Sequence, residues 1–111
     1  MIIYHLVPVY YWDKHNPASD YFPEPFAQDG FIHTTEKPED MAWVANRFYK
    51  EEAGPHVYLY IDASKVKHEI RYEDPERKFP HIYGGLNRDA IIAIKPAPRD
   101  AEGNFLPPEI I

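Results

Sequence analysis

Apolar and polar positions alternate with a period of two over residues 56–62, where Val57, Leu59 and Ile61 interleave with Tyr58, Tyr60 and Asp62. That period is the signature of a β-strand. A second strand is expected over 2–7. There Ile3, His5 and Val7 share one side and Ile2, Tyr4 and Leu6 the other; both sides are mainly apolar, as in an inner strand, and Pro8 ends the run. Residues 90–95, Ala-Ile-Ile-Ala-Ile-Lys, make a further strong strand. Shorter extended segments are predicted at 31–34, at about 68–73 around Ile70 and Tyr72, and at 79–83, after which Gly84-Gly85 turns the chain. The period changes over about 38–53, where Met41, Val44, Ala45 and Phe48 fall at helical spacing and are expected to form a buried stripe. Pro38 suits a first turn, Glu36, Glu39 and Asp40 complement the dipole there, Thr34 or Thr35 is placed to cap, and Gly54-Pro55 stops the helix. Residues 9–15 have room for one short helix and 63–67 for a helical turn or loop. Residues 16–29 and the charged stretch 73–78 read as loops. The Pro-rich tail from Pro96 is expected to pack back through Phe105 and Leu106, with an added sheet edge as one way to do so. The pattern is that of one α+β domain, 1–111, with more strand than helix.

At 111 residues the chain can bury a core without staples, and 44 % hydrophobic with 27 % charged residues is an ordinary globular balance. It has no cysteine, which excludes disulfides, thiolate chemistry and cysteine-based zinc sites and fits a cytoplasmic protein. The N-terminus lacks the basic start and long apolar core of a signal peptide, and no apolar run is long enough to span a bilayer. The net charge is −6 and the basic residues are scattered. Affinity for nucleic acid rests on neutralised phosphates, so this balance argues against such a partner and leaves room for a small-molecule ligand with one or two phosphates.

Three of the six histidines sit among apolar and aromatic residues: His5 in Ile-Ile-Tyr-His-Leu-Val, His33 in Gly-Phe-Ile-His-Thr, and His81 in Phe-Pro-His-Ile-Tyr-Gly. A half-buried imidazole needs a polar partner, a ligand or a metal. For His5 the plain alternative is a core histidine donating to a backbone carbonyl or a tyrosine. His33 ends a strand just before a helix start, where anions and reacting groups bind; a tethering role competes with that. His81 could equally fix the Gly84-Gly85 turn. His15, His56 and His68 read as solvated. Arg47 could contact an anion or pair with Glu51 four residues on, and Arg88 is similar. Tyr4, Tyr58, Tyr60 and Tyr83 read as structural or as pocket lining able to stack on a ring. Three imidazoles can also hold zinc, but no His-x-x-x-His spacing occurs and the sequence assigns no metal ligands. No serine triad or Gly-rich phosphate loop is present.

Tyr4-His5 near the N-terminus, Gly30-Phe31-Ile32-His33, Val44-Ala45-Asn46-Arg47-Phe48-Tyr49 and Phe79-Pro80-His81-Ile82-Tyr83-Gly84 followed by Leu86-Asn87 together resemble one family. It is the small bacterial proteins called domain of unknown function 952, and the likeness runs from Ile3 to about Pro108. That family is held to be distantly similar to the ADP-ribosyltransferase superfamily, in the branch near RNA 2′-phosphotransferases. The resemblance implies an ADP-ribosyltransferase-like split, mainly antiparallel β core and, as ligand, NAD or an ADP-ribose-like moiety between two half-sheets. His5 matches a first-strand histidine that bonds a ribose hydroxyl, and His33 a second-strand residue that packs against the nicotinamide end. His81 falls in the region of a late glutamate that has no match here. Two departures stand out. Leu6-Val7 follow His5 where Gly-Thr is common, and the arginines are too scattered for an RNA phosphate.

The expectation is therefore a histidine-lined cleft for NAD or a related nucleotide, with ADP-ribosyl or phosphate transfer as the implied chemistry. His5 would orient a ribose, His33 line the ring or phosphate pocket, His81 donate a proton, Arg47 contact an anion and Tyr83 line the site. The alternatives are a non-catalytic module for another metabolite or a protein partner, and a three-histidine metal protein. The oligomeric state is not fixed by the sequence.

Overall fold

A computed structural model describes residues 1–111. The longest strands, β1 (Ile2–Pro8), β3 (His56–Asp62) and β6 (Ile91–Pro96), form one antiparallel sheet in the order β1-β3-β6. Three short strands, β2 (Ile32–His33), β4 (Ile70–Tyr72) and β5 (Pro80–Ile82), form a second in the order β2-β5-β4. A single bridge joins them: Tyr4 and Thr35 exchange both main-chain hydrogen bonds, at 2.8 and 2.9 Å. The helices are few: α1 (Val9–Trp12), α2 (Phe26–Asp29) and the main helix α3 (Pro38–Tyr49), with 3-10 turns at 63–65 and 88–90. The molecule is thus α+β with antiparallel sheets. None of its helices is long and apolar enough to cross a membrane.

The alternation of β1 sorts its side chains into two cores. Ile3 and Val7 pack with Tyr21, Ile32, Leu59, Ile61, Ile82 and Leu86 on one face. Tyr4 and Leu6 pack with Met41, Ala45, Tyr58, Tyr60 and Phe105 on the other, under α3. Both faces of β1 are buried, yet it is an edge strand of its sheet and β3 is the centre. Side-chain patterning reports which faces are covered and is blind to whether a neighbouring strand continues.

The main helix departs from expectation in three ways. Its cap position is Lys37, without a side-chain cap, because both threonines are used elsewhere: Thr35 bridges to Tyr4, and the Thr34 hydroxyl donates to the Pro80 carbonyl. Its buried stripe is Met41, Ala42 and Ala45, while Phe48 is 65 % exposed. It ends at Tyr49, one turn before Gly54, where the Arg99 guanidinium from the tail donates to the carbonyls of Lys50 and Glu52 at 3.1 and 2.8 Å. A cation at a helix C-terminus satisfies its orphan carbonyls. The tail adds no strand: Phe105 is buried and Leu106 is exposed.

Candidate functional site

Beyond the Tyr4–Thr35 bridge the two sheets splay apart. In a continued antiparallel ladder the next main-chain pair would be Leu6 with His33, with the Leu6 N–H donating to the His33 carbonyl. Instead the His5 imidazole takes that carbonyl, with Nδ1–H donating at 2.7 Å. The Leu6 N–H and C=O, which point to the same side as those of Tyr4, are left without a partner.

Leu6 is among the residues lining a cleft of about 790 Å³, bounded by β1, α3 and the segment 21–28. Its walls are rich in tyrosine: Tyr10, Tyr11, Tyr21 and Tyr49 all contribute. Glu24 and Glu52 line it too, and no Lys or Arg does. Burial, with Glu52 next in weight, raises the Tyr49 phenol above its ordinary value. An occupant of this cleft meets aromatic faces, a peptide donor and acceptor, and negative charge.

His5 lies at the root of the cleft and is buried. Its Nδ1 proton goes to His33, so its Nε2 is the acceptor, and the Tyr21 hydroxyl donates to it at 2.9 Å. Desolvation lowers its pKa from 6.5 to about 4, against the His33 carbonyl, which favours the charged form. Burial pushes the Tyr21 phenol well above its usual range. His5 is therefore a neutral imidazole with both nitrogens committed, the core-histidine alternative raised from the sequence. Tyr21 is the hub around it, edge-on to His5 at 5.4 Å and tilted against Trp12 and His15 at 5.1 Å each.

The three singled-out histidines form a chain of contacts rather than one triad. His33 lines the cleft, and its ring also meets that of His81 at 5.2 Å, because the two are partners across β2 and β5. No contact joins His5 to His81. His81 and Tyr83 lie outside the cleft, where the Glu73 carboxylate accepts from His81 Nδ1 at 3.2 Å and from the Tyr83 hydroxyl. Arg47 is not in the lining either; its guanidinium sits 5.9 Å from the Phe48 ring centroid on the exposed side of α3, and no Arg47–Glu51 pair forms. Arg88 pins a loop, donating to the carbonyls of Ser19 and Asn16 at 2.9 and 3.1 Å. His56, expected to be solvated, is buried, with its ring nitrogens 3.1 Å from the Gly54 carbonyl and 3.3 Å from a Glu52 oxygen, and Phe105 edge-on at 5.3 Å. The cause is the returning tail, which covers the start of β3. No group of three His, Asp or Glu side chains is placed to hold a metal ion.

Sequence reasoning missed Leu6, Tyr21, Tyr49 and the two glutamates of the cleft. The Leu6 peptide carries no residue-type signal at all. Tyr21 falls in a segment read as loop, between Asp20 and Phe22, with no periodic pattern to mark it as packed.

Solved structures show the same fold. A crystal structure of protein CC0527 from Caulobacter crescentus matches with a TM-score of 0.80 at 22 % identity, covering 95 % of this chain and 93 % of that one. The solution structure of CC0527 matches with a TM-score of 0.72 at 22 % identity, covering 92 % and 89 %. No curated protein matches the chain by sequence. The family of proteins of unknown function DUF952 matches over residues 6–94, most of the chain, and the protein belongs to that family.

Proposed function

We propose that the cleft beside β1 binds the nicotinamide–ribose end of NAD or of a closely related nucleotide. The observation that carries this reading is the open Leu6 peptide at the root of a tyrosine-lined cleft without a single cation. A primary carboxamide offers one donor and one acceptor on one edge, the complement of a free N–H and C=O. A pyridinium ring is aromatic and positively charged, so it gains from tyrosine faces and from Glu24 and Glu52. The diphosphate gains nothing inside and would lie at the mouth or beyond. In this reading the fold is the ADP-ribosyltransferase-like split sheet implied by the sequence resemblance, and the splay at Tyr4–Thr35 supports it.

Binding is supported further than turnover. His5 has both ring nitrogens committed, so it orients main chain and tyrosine and moves no proton. The carboxylates left to stabilise an oxocarbenium-like state at the ribose are Glu24 and Glu52. His81, outside the cleft, is not placed to serve as its acid. These points favour a non-catalytic nucleotide-binding module over a transferase.

The test is an NMR titration with nicotinamide riboside, NAD and ADP-ribose in parallel. Saturable shifts of the Leu6 amide and the Tyr49 ring with the first two, and weaker ones with ADP-ribose, are expected. Binding of ADP-ribose alone would overturn the assignment of the pyridinium end.

A further inference from the structure

On the outer face of the small sheet, His33 and His81 occupy facing positions of β2 and β5. Thr34 N–H donates to the Pro80 carbonyl at 3.2 Å, so the flanking pair is the hydrogen-bonded one. His33 and His81 are then a non-hydrogen-bonded pair, the kind in which side chains approach most closely. Their rings meet edge to face at 5.2 Å between centroids.

Each ring is held by a carboxylate. His33 Nε2 lies 3.1 Å from Asp29 Oδ2, and His81 Nδ1 lies 3.2 Å from Glu73 Oε1. An ionised carboxylate only accepts, so both of these nitrogens carry protons. In the neutral imidazoles the remaining nitrogens, Nδ1 of His33 and Nε2 of His81, are bare lone pairs, and neither has a partner in the chain. A carboxylate behind the far nitrogen is the arrangement that orients a metal-ligating histidine and raises its basicity. The carboxylate of Glu73 is itself fixed by the Tyr83 hydroxyl, and Phe31 stacks on His81 at 4.0 Å as a wall.

We infer that His33 and His81 form an open two-imidazole site for a divalent transition metal of the zinc class, with Asp29 and Glu73 as its orienting groups. Two imidazoles sharing one tetrahedral ion at ordinary metal–nitrogen distances stand about 5 Å apart between ring centroids, the spacing found here. The charge of the face agrees. Asp29 and Glu73 hold the pair, and Arg71, opposite His81 on β4, is bound to Glu69 at 2.9 Å and lies 4.3 Å from the Tyr83 ring centroid. That balance favours a cation and disfavours a phosphate. With two protein ligands, the other positions on the ion are open to water or to a small ligand. The inference shares His33 with the cleft but uses neither Leu6 nor the tyrosines that line it.

The experiment is titration of tag-free protein with zinc chloride, following the ring nitrogens of all six histidines by NMR. Saturable shifts of His33 Nδ1 and His81 Nε2 are expected, with His5 and His56 silent. His33→Ala and His81→Ala, both at solvent-reached positions, should each remove saturable binding. Glu73→Gln should weaken it about tenfold, and His68→Ala should leave it unchanged. Main-chain spectra of the variants report that the sheet is intact. Zinc shifts confined to His15 or His68, wild-type affinity in His33→Ala or His81→Ala, or no saturable shift at either histidine would each overturn the site.

Discussion

His5 donates its Nδ1 proton to the main-chain carbonyl of His33, 2.7 Å away, and so replaces with a side chain the ladder bond that Leu6 would have made. One substitution of partner opens the sheet. It fixes the tautomer of His5, frees the Leu6 peptide and sets the floor of the cleft. The first-strand histidine singled out from the sequence thus holds a carbonyl of one sheet and a tyrosine of the loop.

The burial of His5 gives stability a defined pH dependence. Its pKa is about 4 in the native protein against 6.5 in an unperturbed imidazole. Between those values the unfolded chain binds a proton that the native state does not, so stability falls as pH falls from about 6.5 to about 4. The contribution is complete above that window and is lost below it, and amounts to about 3 kcal/mol. Urea unfolding of the wild type at pH 7 and pH 4.5 should show most of this loss, and His5→Gln should show much less of it. An imidazole signal of His5 that titrates near pH 6.5 would contradict the account.

Removing the hydroxyl of Tyr21 isolates the other half of the same network. Tyr21→Phe keeps the ring packing against Trp12 and His15 but leaves His5 Nε2 as a buried acceptor without a donor. The cost should be about 1–3 kcal/mol, read as a lower urea midpoint at unchanged slope. A loss of under half a kilocalorie would mean that water reaches Nε2 from the cleft.

Asn46 is expected to be the lock on the C-terminal tail. Its side-chain amide reads the Phe105 peptide at both ends, donating to the carbonyl at 3.0 Å and accepting from the N–H at 2.6 Å. Tyr58 and Tyr60 add hydroxyl donations to the carbonyls of Leu106 and Glu109 at 2.8 and 2.9 Å. Asn46→Ala should cost about 2 kcal/mol for the two bonds and speed amide exchange in 104–109 well beyond that in β3. Uniform acceleration across β3 and the tail alike would mean that the two unfold together.

The periodic elements could be read from the sequence because their signal is local. The alternation at 56–62 gives β3, and the spacing of Met41 and Ala45 gives the buried side of α3. The two-sided burial of β1 follows from Ile3, His5 and Val7 set against Tyr4 and Leu6. What escaped depends on distant partners. Phe48 has helical spacing but faces solvent, because the tail that covers α3 does so through Asn46 and Arg99. His56 looks like a strand-start residue until Phe105 closes over it. The site divides the same way: residue types marked His5, His33 and His81, but only the splay of the sheets shows that both ring nitrogens of His5 have partners and that His33 faces both the cleft and His81.

Charge in the cleft supplies the sharpest comparison for the ligand. Glu52 lines it beside Tyr49, whereas Arg47, on the same helix as Tyr49, lies outside it. If a pyridinium cation occupies the cleft, Glu52→Gln removes an attractive charge and should weaken nicotinamide riboside binding several-fold at low salt. The difference should shrink as ionic strength rises, since the carboxylate is partly exposed and screened. Arg47→Ala should leave affinity within about twofold and lower the urea midpoint little, as surface substitutions do. The opposite ranking would carry different physics. If Arg47→Ala abolished binding while Glu52→Gln strengthened it, the occupant would be an anion held against α3, and the phosphates rather than the pyridinium would be the recognised end. Isothermal titration of the two variants at two salt concentrations separates these cases, because screening shrinks the effect only of the variant whose charge the ligand meets.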